Sequence, residues 1–227
     1  MALHKPQLIV ALDVGTLEEA KTLVDILSPV VDIFKVGSQL FTAAGPEAVR
    51  SILAKKKKIF LDLKYHDIPN TVSSAIEAAV SQGIFMLTVH STGGRAMLEA
   101  AVKAGRKKSE ELKVNKPFIV GVTVLTSDES SGLVLDRARL AKEAGLDGVV
   151  ASVGDVKAIR QALGEDFIIV TPGIRPSGSA VGDQKRVGTP QEAVRAGSNF
   201  LVVGRPIIES ANPLEAAKKI LEEIRSG

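Results

Sequence analysis

The sequence contains no cysteine and no tryptophan, and aromatic residues make up only 4% of its 227 positions. Without cysteine the chain cannot form a disulfide, a thiolate zinc site, an iron–sulfur cluster or a cysteine nucleophile. The shortage of aromatic side chains argues against a surface on which the bases of single-stranded nucleic acid would stack. The net charge of +3 is too small to indicate a nucleic-acid partner. We therefore expect none of these sites or partners.

Long apolar runs are also missing. No run approaches the roughly 20 residues of a membrane-spanning helix, and the opening segment MALHKPQLIVALD lacks the architecture of a secretion signal. Hydrophobic residues (45%) and charged residues (24%) occur in the proportions usual for soluble globular proteins. No linker or low-complexity tract divides the chain. We therefore expect a soluble, cytoplasmic protein that does not contact a membrane and whose residues 1–227 form one domain.

Short apolar runs, rich in β-branched residues, recur roughly 20 to 32 residues apart. Such runs are typical of strands that are buried on both faces, as in a parallel sheet. Segments with helical spacing of apolar residues separate them. The pattern predicts a single (β/α)8 TIM barrel, an α/β fold, although a doubly wound open sheet has the same periodicity. The predicted strands are residues 8–12, 30–36, 59–63, 85–89, 117–122, 148–151, 167–170 and 200–203.

Several residues indicate where the helices begin and end. Thr16 is followed three residues later by Glu19, a spacing that predicts a capping box at the start of the first helix. Three glycines, Gly83, Gly105 and Gly145, predict the carboxyl ends of later helices.

Charged residues interrupt the apolar strands near their carboxyl ends. Asp13 ends the first run, Lys35 lies in the second, and Asp62 and Lys64 lie in or directly after the third. The active site of a parallel barrel forms at this edge, so we expect these side chains to converge. Asp62 and Lys64 are two residues apart and should share a face, with Asp67 just beyond the strand. Buried charges are costly unless they are paired, so the pattern indicates either an ion-pair network or a preorganised catalytic array; the convergence favours catalysis.

A second polar cluster belongs to the last two strands. The segment VVGRPI predicts a strand that ends in a turn at Gly204, followed by Arg205 and the start of a helix. Backbone N–H groups at a helix start can bind an anion. Phosphate sites of such barrels often use the loops after strands 7 and 8. Arg175 and Gln184 lie in the loop 175–186, which is polar, glycine-rich and long enough to act as a lid. A glycine–arginine pair alone is a weak signal, which this loop strengthens.

No cofactor motif accompanies these clusters. His4, His66 and His90 do not have the spacing of metal ligands, and neither GxGxxG nor GxxxxGK[ST] occurs. The residues therefore give no signal for a histidine metal site, a dinucleotide site or a P-loop.

The segment 62–71, DLKYHDIPNT, resembles the DxKxxDIPxT signature of the orotidine 5'-phosphate decarboxylase family, in its bacterial branch. Further matching segments, in the same order and spacing, are ALD (11–13), FKVG (34–37), VHSTGG (89–94), VLTS (124–127), TPGIRP (171–176), DQKRVGTP (183–190) and VVGRPI (202–207). The resemblance implies a (β/α)8 homodimer that converts orotidine 5'-monophosphate to uridine 5'-monophosphate and carbon dioxide without a metal or cofactor. This reaction is the last step of de novo UMP synthesis.

The resemblance also implies catalytic roles. Lys64 would protonate carbon 6 of the pyrimidine, Asp62 would lie near the departing carboxylate, and Lys35 would complete the charged set. Asp67 would reach the neighbouring subunit's site.

The substrate-binding roles also follow from the resemblance. Asp13 and Lys35 would contact the ribose hydroxyls, with Thr71 contributed by the neighbouring chain, and Thr126 would lie beside the pyrimidine. The phosphate would be held by four residues: Arg175, Gln184, Gly204 and Arg205.

Other functions remain open at the level of the residues. A metal-dependent sugar-phosphate decarboxylase on the same barrel would need a carboxylate-rich Mg²⁺ site, but Lys35 occupies a strand end and a protonated lysine cannot be a ligand. A non-catalytic nucleotide-phosphate binding protein would not need a costly array of buried charges. A purely structural interaction protein would leave the charges at the strand ends unexplained.

Overall fold

The chain folds into a closed barrel of parallel strands in a computed structural model, which describes residues 5–124, 133–176 and 187–227. Each strand pairs with its neighbour in sequence, and β1 also pairs with β8. Because this last pairing leaves no open edge, the fold is a TIM barrel and not an open sheet. The strands are β1 (Gln7–Ala11), β2 (Ile33–Gly37), β3 (Lys58–Tyr65), β4 (Met86–His90), β5 (Phe118–Val122), β6 (Gly148–Val150), β7 (Ile168–Thr171) and β8 (Phe200–Val203).

Helices alternate with the strands along the chain, as the apolar spacing predicts. A short 3-10 turn, Ser91–Gly93, precedes the longest of them. In the described part of the chain the helices are α1 (Leu17–Leu27), α2 (Ser38–Ala44), α3 (Pro46–Leu53), α4 (Pro69–Ser81), α5 (Gly94–Leu112), α6 (Val134–Glu143), α7 (Val153–Leu163), α8 (Pro190–Ala196), α9 (Arg205–Ile208) and α10 (Pro213–Ser226). None of them is long and apolar enough to cross a membrane.

The strands bury both of their faces, which explains their near-continuous apolar sequences. Alternate residues such as Ile9, Phe60 and Phe200 fill the interior of the barrel. The residues between them, such as Val10 and Leu61, pack outward against the helices. A polar residue at an inward position near the carboxyl end of a strand therefore projects into the barrel mouth.

Most predicted helix ends are confirmed. Thr16 Oγ1 accepts from the Glu19 N–H at 3.2 Å, and the Glu19 carboxylate accepts from the Thr16 N–H at 3.1 Å, which is the predicted capping box. Gly83 and Gly145 follow the ends of α4 and α6 with φ of +75° and +86°, values that favour glycine.

Two boundary predictions are wrong. Gly105 lies inside α5 and does not end it. A Cβ at this position would come within 2.7 Å of Ile119 Cδ1, so the glycine allows α5 to pack closely on β5. The second strand begins at Ile33 and not at residue 30, because Val30 donates its N–H to Leu27 at the end of α1.

Candidate active site

Three neighbouring strands deliver four charged residues to the carboxyl end of the barrel. Asp13 follows β1, Lys35 lies on β2, and Asp62 and Lys64 lie on β3. The parallel register places Ala11 beside Lys35 and aligns the end of β2 with Asp62. The side chains that the sequence analysis predicts to converge are therefore brought together.

These four residues form a chain of alternating charge, which we call the charge array. Lys35 Nζ lies 2.9 Å from Asp13 Oδ1 and 3.7 Å from Asp62 Oδ2, while Lys64 Nζ donates to Asp62 Oδ2 at 2.9 Å. The central side chains, Lys35 and Asp62, are only 11% and 13% exposed. Each buried charge thus has opposite charge beside it, which offsets the cost of removing it from water.

The β3–β4 pairing contains a bulge at the array. Leu61 pairs with Leu87 and Tyr65 pairs with Val89, so residues 62–64 lie opposite the single residue 88. Lys64 adopts a left-handed backbone with φ of +53°. Asp62 and Lys64 do share a face, as alternation predicts, but they reach it through this bulge and not through a regular strand.

Thr88 is a residue that the sequence analysis missed. It is fully buried, and its Oγ1 accepts from the Lys64 N–H at 2.8 Å and donates to Asp62 Oδ1 at 3.0 Å. The available signal was a hydroxyl between the apolar residues Leu87 and Val89 of β4, at an inward position.

Gly37 was also missed as a determinant of the array. A Cβ built at this position would lie 2.8 Å from Lys35 Nζ and 3.2 Å from Asp13 Oδ1. The absence of a side chain therefore leaves the space in which the Lys35–Asp13 ion pair forms.

A cavity of about 510 Å³ opens beside the charge array, within the size range of small-molecule sites. Its apolar wall comes from inward residues of six strands and the loop that follows β5: Ala11, Phe60, Val122, Val124, Val150, Val170 and Val202. The polar wall includes the four array residues and, unpredicted by the sequence analysis, Gln39 and Glu209. The cavity therefore combines an apolar wall with concentrated charge, an arrangement that suits a ligand with both an apolar face and a charged group.

The ends of the last two strands carry residues predicted to bind phosphate, and β8 pairs with β1, which precedes Asp13. Arg175, buried to 8% exposure, follows β7, and its N–H donates to the Gly188 carbonyl at 3.0 Å. Gly204 and Arg205 lie at the junction of β8 and α9, and all three residues line the cavity. Thr126 and Gln184 lie outside the described residues, as does most of the loop 175–186.

Comparison with known proteins places this geometry in a family. The sequence model of the orotidine 5'-phosphate decarboxylase / HUMPS family matches residues 6–220. The chain belongs to this family. It is 50% identical to the orotidine 5'-phosphate decarboxylase of Moorella thermoacetica, over 97% of this chain and 92% of that protein. It is 47% identical to that of Trichlorobacter lovleyi, over 98% and 97%.

The fold agrees with the family. The crystal structure of orotidine 5'-phosphate decarboxylase from Lactobacillus acidophilus superposes with a TM-score of 0.84 at 35% identity, covering 97% of this chain and 99% of that one. The resemblance carried by the DLKYHDIPNT segment is thereby confirmed over nearly the whole chain.

Two residues of the family signature lie apart from the array. Asp67 Oδ1 accepts from the Ile68 N–H at 2.6 Å, at an exposed turn before α4, and Thr71 is exposed on the first turn of that helix. Neither is among the described residues that line the cavity. Within one chain, therefore, the structure does not bring Asp67 and Thr71 to the array.

Two histidines stack near the same end of the barrel. The rings of His66 and His90 are 5.3 Å apart and nearly parallel. Burial lowers the pKa of His90, and the nearby positive charges of His66, Arg137 and Lys64 lower it further. His90 Nδ1 lies 2.6 Å from Thr92 Oγ1. Among the residues described, no group of three or more histidine or carboxylate side chains is placed to hold a metal ion.

Proposed function

We propose that this chain decarboxylates orotidine 5'-monophosphate to uridine 5'-monophosphate and carbon dioxide, and that the charge array is its catalytic centre. The observation that carries the proposal is the Lys64 ammonium, held 2.9 Å from Asp62 beside the ion-paired Lys35. The family and its named relatives support the same reaction. The reaction makes the chain a carboxy-lyase of pyrimidine biosynthesis.

The chemistry requires a cation that is in place before the bond breaks. When the bond between carbon 6 and the carboxylate breaks, its electron pair stays on carbon 6, in an orbital that the ring delocalises poorly. A preorganised ammonium stabilises this charge without reorganisation during the reaction. Lys64 then transfers a proton from Nζ to carbon 6, which completes UMP and leaves a neutral amine.

The other array residues bind and orient the substrate in this proposal. Asp62 lies beside the departing carboxylate, and Lys35 and Asp13 contact the ribose hydroxyls. Their alternating charges keep Lys64 directed into the cavity. The apolar wall accommodates the pyrimidine, and the role of Thr126 beside it rests on the family resemblance.

In this proposal the phosphate is bound by Arg175, Gln184, Gly204 and Arg205. This group is remote from the bond that breaks, but the energy of binding it can be used to hold the array around the substrate. Arg205→Ala should therefore lower kcat/KM strongly, and added phosphite should restore part of the loss. Equal activity of the wild-type chain on the phosphate-free nucleoside would contradict the anion site.

We also propose a homodimer in which Asp67 and Thr71 of one subunit complete the site of the other. Their exposed positions, away from their own array, support this arrangement, as does Ile68 between them, which is 65% exposed. In the proposed dimer the partner subunit would bury this side chain together with Asp67 and Thr71. Mixing inactive Lys64→Ala chains with inactive Asp67→Ala chains should restore partial activity, because a mixed dimer contains one site with neither substitution. No restoration in mixed dimers would contradict the shared site.

The deciding experiment follows the ultraviolet absorbance of the orotate ring in the presence of EDTA. Wild-type chain and Lys107→Ala, which removes an exposed lysine on α5, should convert substrate at similar rates. Lys64→Ala should be slower by several orders of magnitude while remaining folded. Turnover of Lys64→Ala within tenfold of wild type would overturn the proposed role.

Two other outcomes would favour the alternatives. Activity that appears only when Mg²⁺ replaces EDTA would point to the sugar-phosphate branch of the barrel. Tight binding of UMP without any turnover by the wild-type chain would point to a nucleotide-binding protein.

A further inference from the structure

We infer that the Thr88 hydroxyl is a positioning residue for the decarboxylation, which sets the orientation of Asp62 and the backbone of Lys64. The inference rests on the proposed function, in which these two residues act on the substrate. Thr88 itself is fully buried and is not among the residues that line the cavity. It therefore acts through its neighbours and not by touching the ligand.

The bulge makes Thr88 the link between β3 and β4 at this level of the barrel. Residues 62–64 have no register partners on β4, since the pairing passes from Leu61–Leu87 directly to Tyr65–Val89. The Lys64 N–H donates to the Thr88 side chain at 2.8 Å, where a regular ladder would supply a backbone carbonyl. A side chain thus replaces the missing backbone bond at the residue proposed as proton donor.

This replacement matters because Lys64 has an unfavourable backbone conformation. Its φ of +53° is uncommon for residues with a Cβ and persists only where the surroundings hold it. Lys56 and Lys113, the other described non-glycine residues with positive φ, lie at the ends of helices. Lys64 is the one that lies within a strand, and its position determines where the ammonium projects.

The same hydroxyl also orients the Asp62 carboxylate. A threonine hydroxyl has one hydrogen to donate and lone pairs to accept, so Thr88 can bind Lys64 and Asp62 at the same time. It donates to Asp62 Oδ1 at 3.0 Å, while Lys64 and Lys35 lie on Oδ2 at 2.9 and 3.7 Å. With both oxygens engaged, the carboxylate cannot rotate away from the two lysines. One hydroxyl therefore holds both the orientation of the Asp62 carboxylate and the backbone position of Lys64.

The test compares three variants. Thr88→Val keeps the shape of the side chain but removes the hydroxyl, whereas Thr88→Ser keeps the hydroxyl. The matched control is Thr171→Val, because Thr171 is also fully buried near the carboxyl end of a strand and its hydroxyl pairs with Ser198 at 2.7 Å. Steady-state kinetics, the affinity for UMP and the thermal midpoint are measured for each.

A positioning role predicts a separation of kcat from binding. We expect Thr88→Val to lower kcat by about 10- to 100-fold, the change that corresponds to losing a hydrogen bond to a charged group. The KM for the substrate and the affinity for UMP should change by less than about threefold, because Thr88 does not line the cavity. Thr88→Ser should recover most of kcat, and Thr171→Val should lose stability without losing kcat.

Three results would overturn the inference. They are a kcat of Thr88→Val within about threefold of wild type, an equal loss in Thr88→Ser, and a loss of UMP affinity as large as the loss of kcat. If Thr88→Val does not fold, Thr88→Cys replaces it, since a thiol is only a weak donor and acceptor. A wild-type kcat of Thr88→Cys would then count against the hydroxyl.

Lys64→Ala in the same assay separates this inference from the proposed function. If Lys64→Ala is inactive and Thr88→Val is fully active, the array stands and the role of Thr88 is wrong. If Lys64→Ala retains activity, the proposed function of the array fails, and the role of Thr88 fails with it.

Discussion

Replacing Gly37 by alanine perturbs the charge array without removing any of its members. The backbone of Gly37, with φ of −97°, is accessible to alanine, so the substitution introduces no backbone strain. The new Cβ would lie 2.8 Å from Lys35 Nζ, a separation that real Cβ atoms essentially never show. The flexible end of Lys35 must therefore move.

The size of the effect follows from the contacts that this movement breaks. Lys35 Nζ lies 2.9 Å from Asp13 and 3.7 Å from Asp62, and the new methyl group would crowd the Asp13 carboxylate as well, at 3.2 Å. A hydrogen bond between charged groups contributes about 1.5–3 kcal/mol. Losing this contribution in the transition state corresponds to a fall in kcat/KM of about 10- to 100-fold. The free energy of unfolding should fall by no more than about these 1.5–3 kcal/mol, because the backbone is unstrained and the atom displaced is the end of a side chain.

The assay is steady-state decarboxylation together with urea denaturation of the same preparations. Gly154→Ala is the control, because Gly154 lies in α7 and a Cβ there would meet no atom within 4 Å. The control should keep full activity with unchanged or slightly raised stability. Wild-type kcat/KM for Gly37→Ala would refute the argument that the array depends on this space. A large loss of stability would show that the glycine supports the fold instead.

Three further predictions concern stability. The pKa of His90 is lowered in the folded chain, so the unfolded chain takes up this proton at a higher pH. The contribution of His90 to stability is therefore complete above about pH 6.5 and is lost as the pH falls through the folded-state pKa. His90→Gln should flatten this part of the pH–stability curve. Arg160→Met should cost at least about 3 kcal/mol in urea denaturation with little change in kcat, because the buried guanidinium donates to four backbone carbonyls and one side-chain amide oxygen. Gly148→Ala should cost about 3 kcal/mol, since its Cβ would lie 2.2 Å from the Ile168 carbonyl oxygen, a backbone atom that cannot move aside.

Each of these has a clear contrary result. An unchanged pH–stability curve in His90→Gln would show that the ring does not control this dependence. Full stability of Arg160→Met would show that the carbonyls find other partners. Full stability of Gly148→Ala would show that β6 and β7 can separate without cost.

Much of the fold was accessible from local patterns. Strands buried on both faces must be apolar along their whole length, and helices packed on one side must repeat every three to four residues. These two periods locate the elements, and a capping box such as that at Thr16 marks an end because its bonds are formed within one turn. The prediction that Gly105 ends a helix is wrong for the opposite reason. This glycine allows a close contact with Ile119, which lies more than ten residues away in sequence.

The candidate active site likewise has features that the sequence predicts and features that depend on the tertiary structure. The sequence alone determined which charged residues stand at the carboxyl ends of strands, because strand position and parallel direction together decide where Asp13, Lys35 and Asp62 point. Barrel closure, the 2.9 Å contacts of the array, the three-against-one bulge at Thr88 and the space beside Gly37 were decided only by the tertiary structure. Each depends on atoms from different strands, whose separation no local pattern encodes.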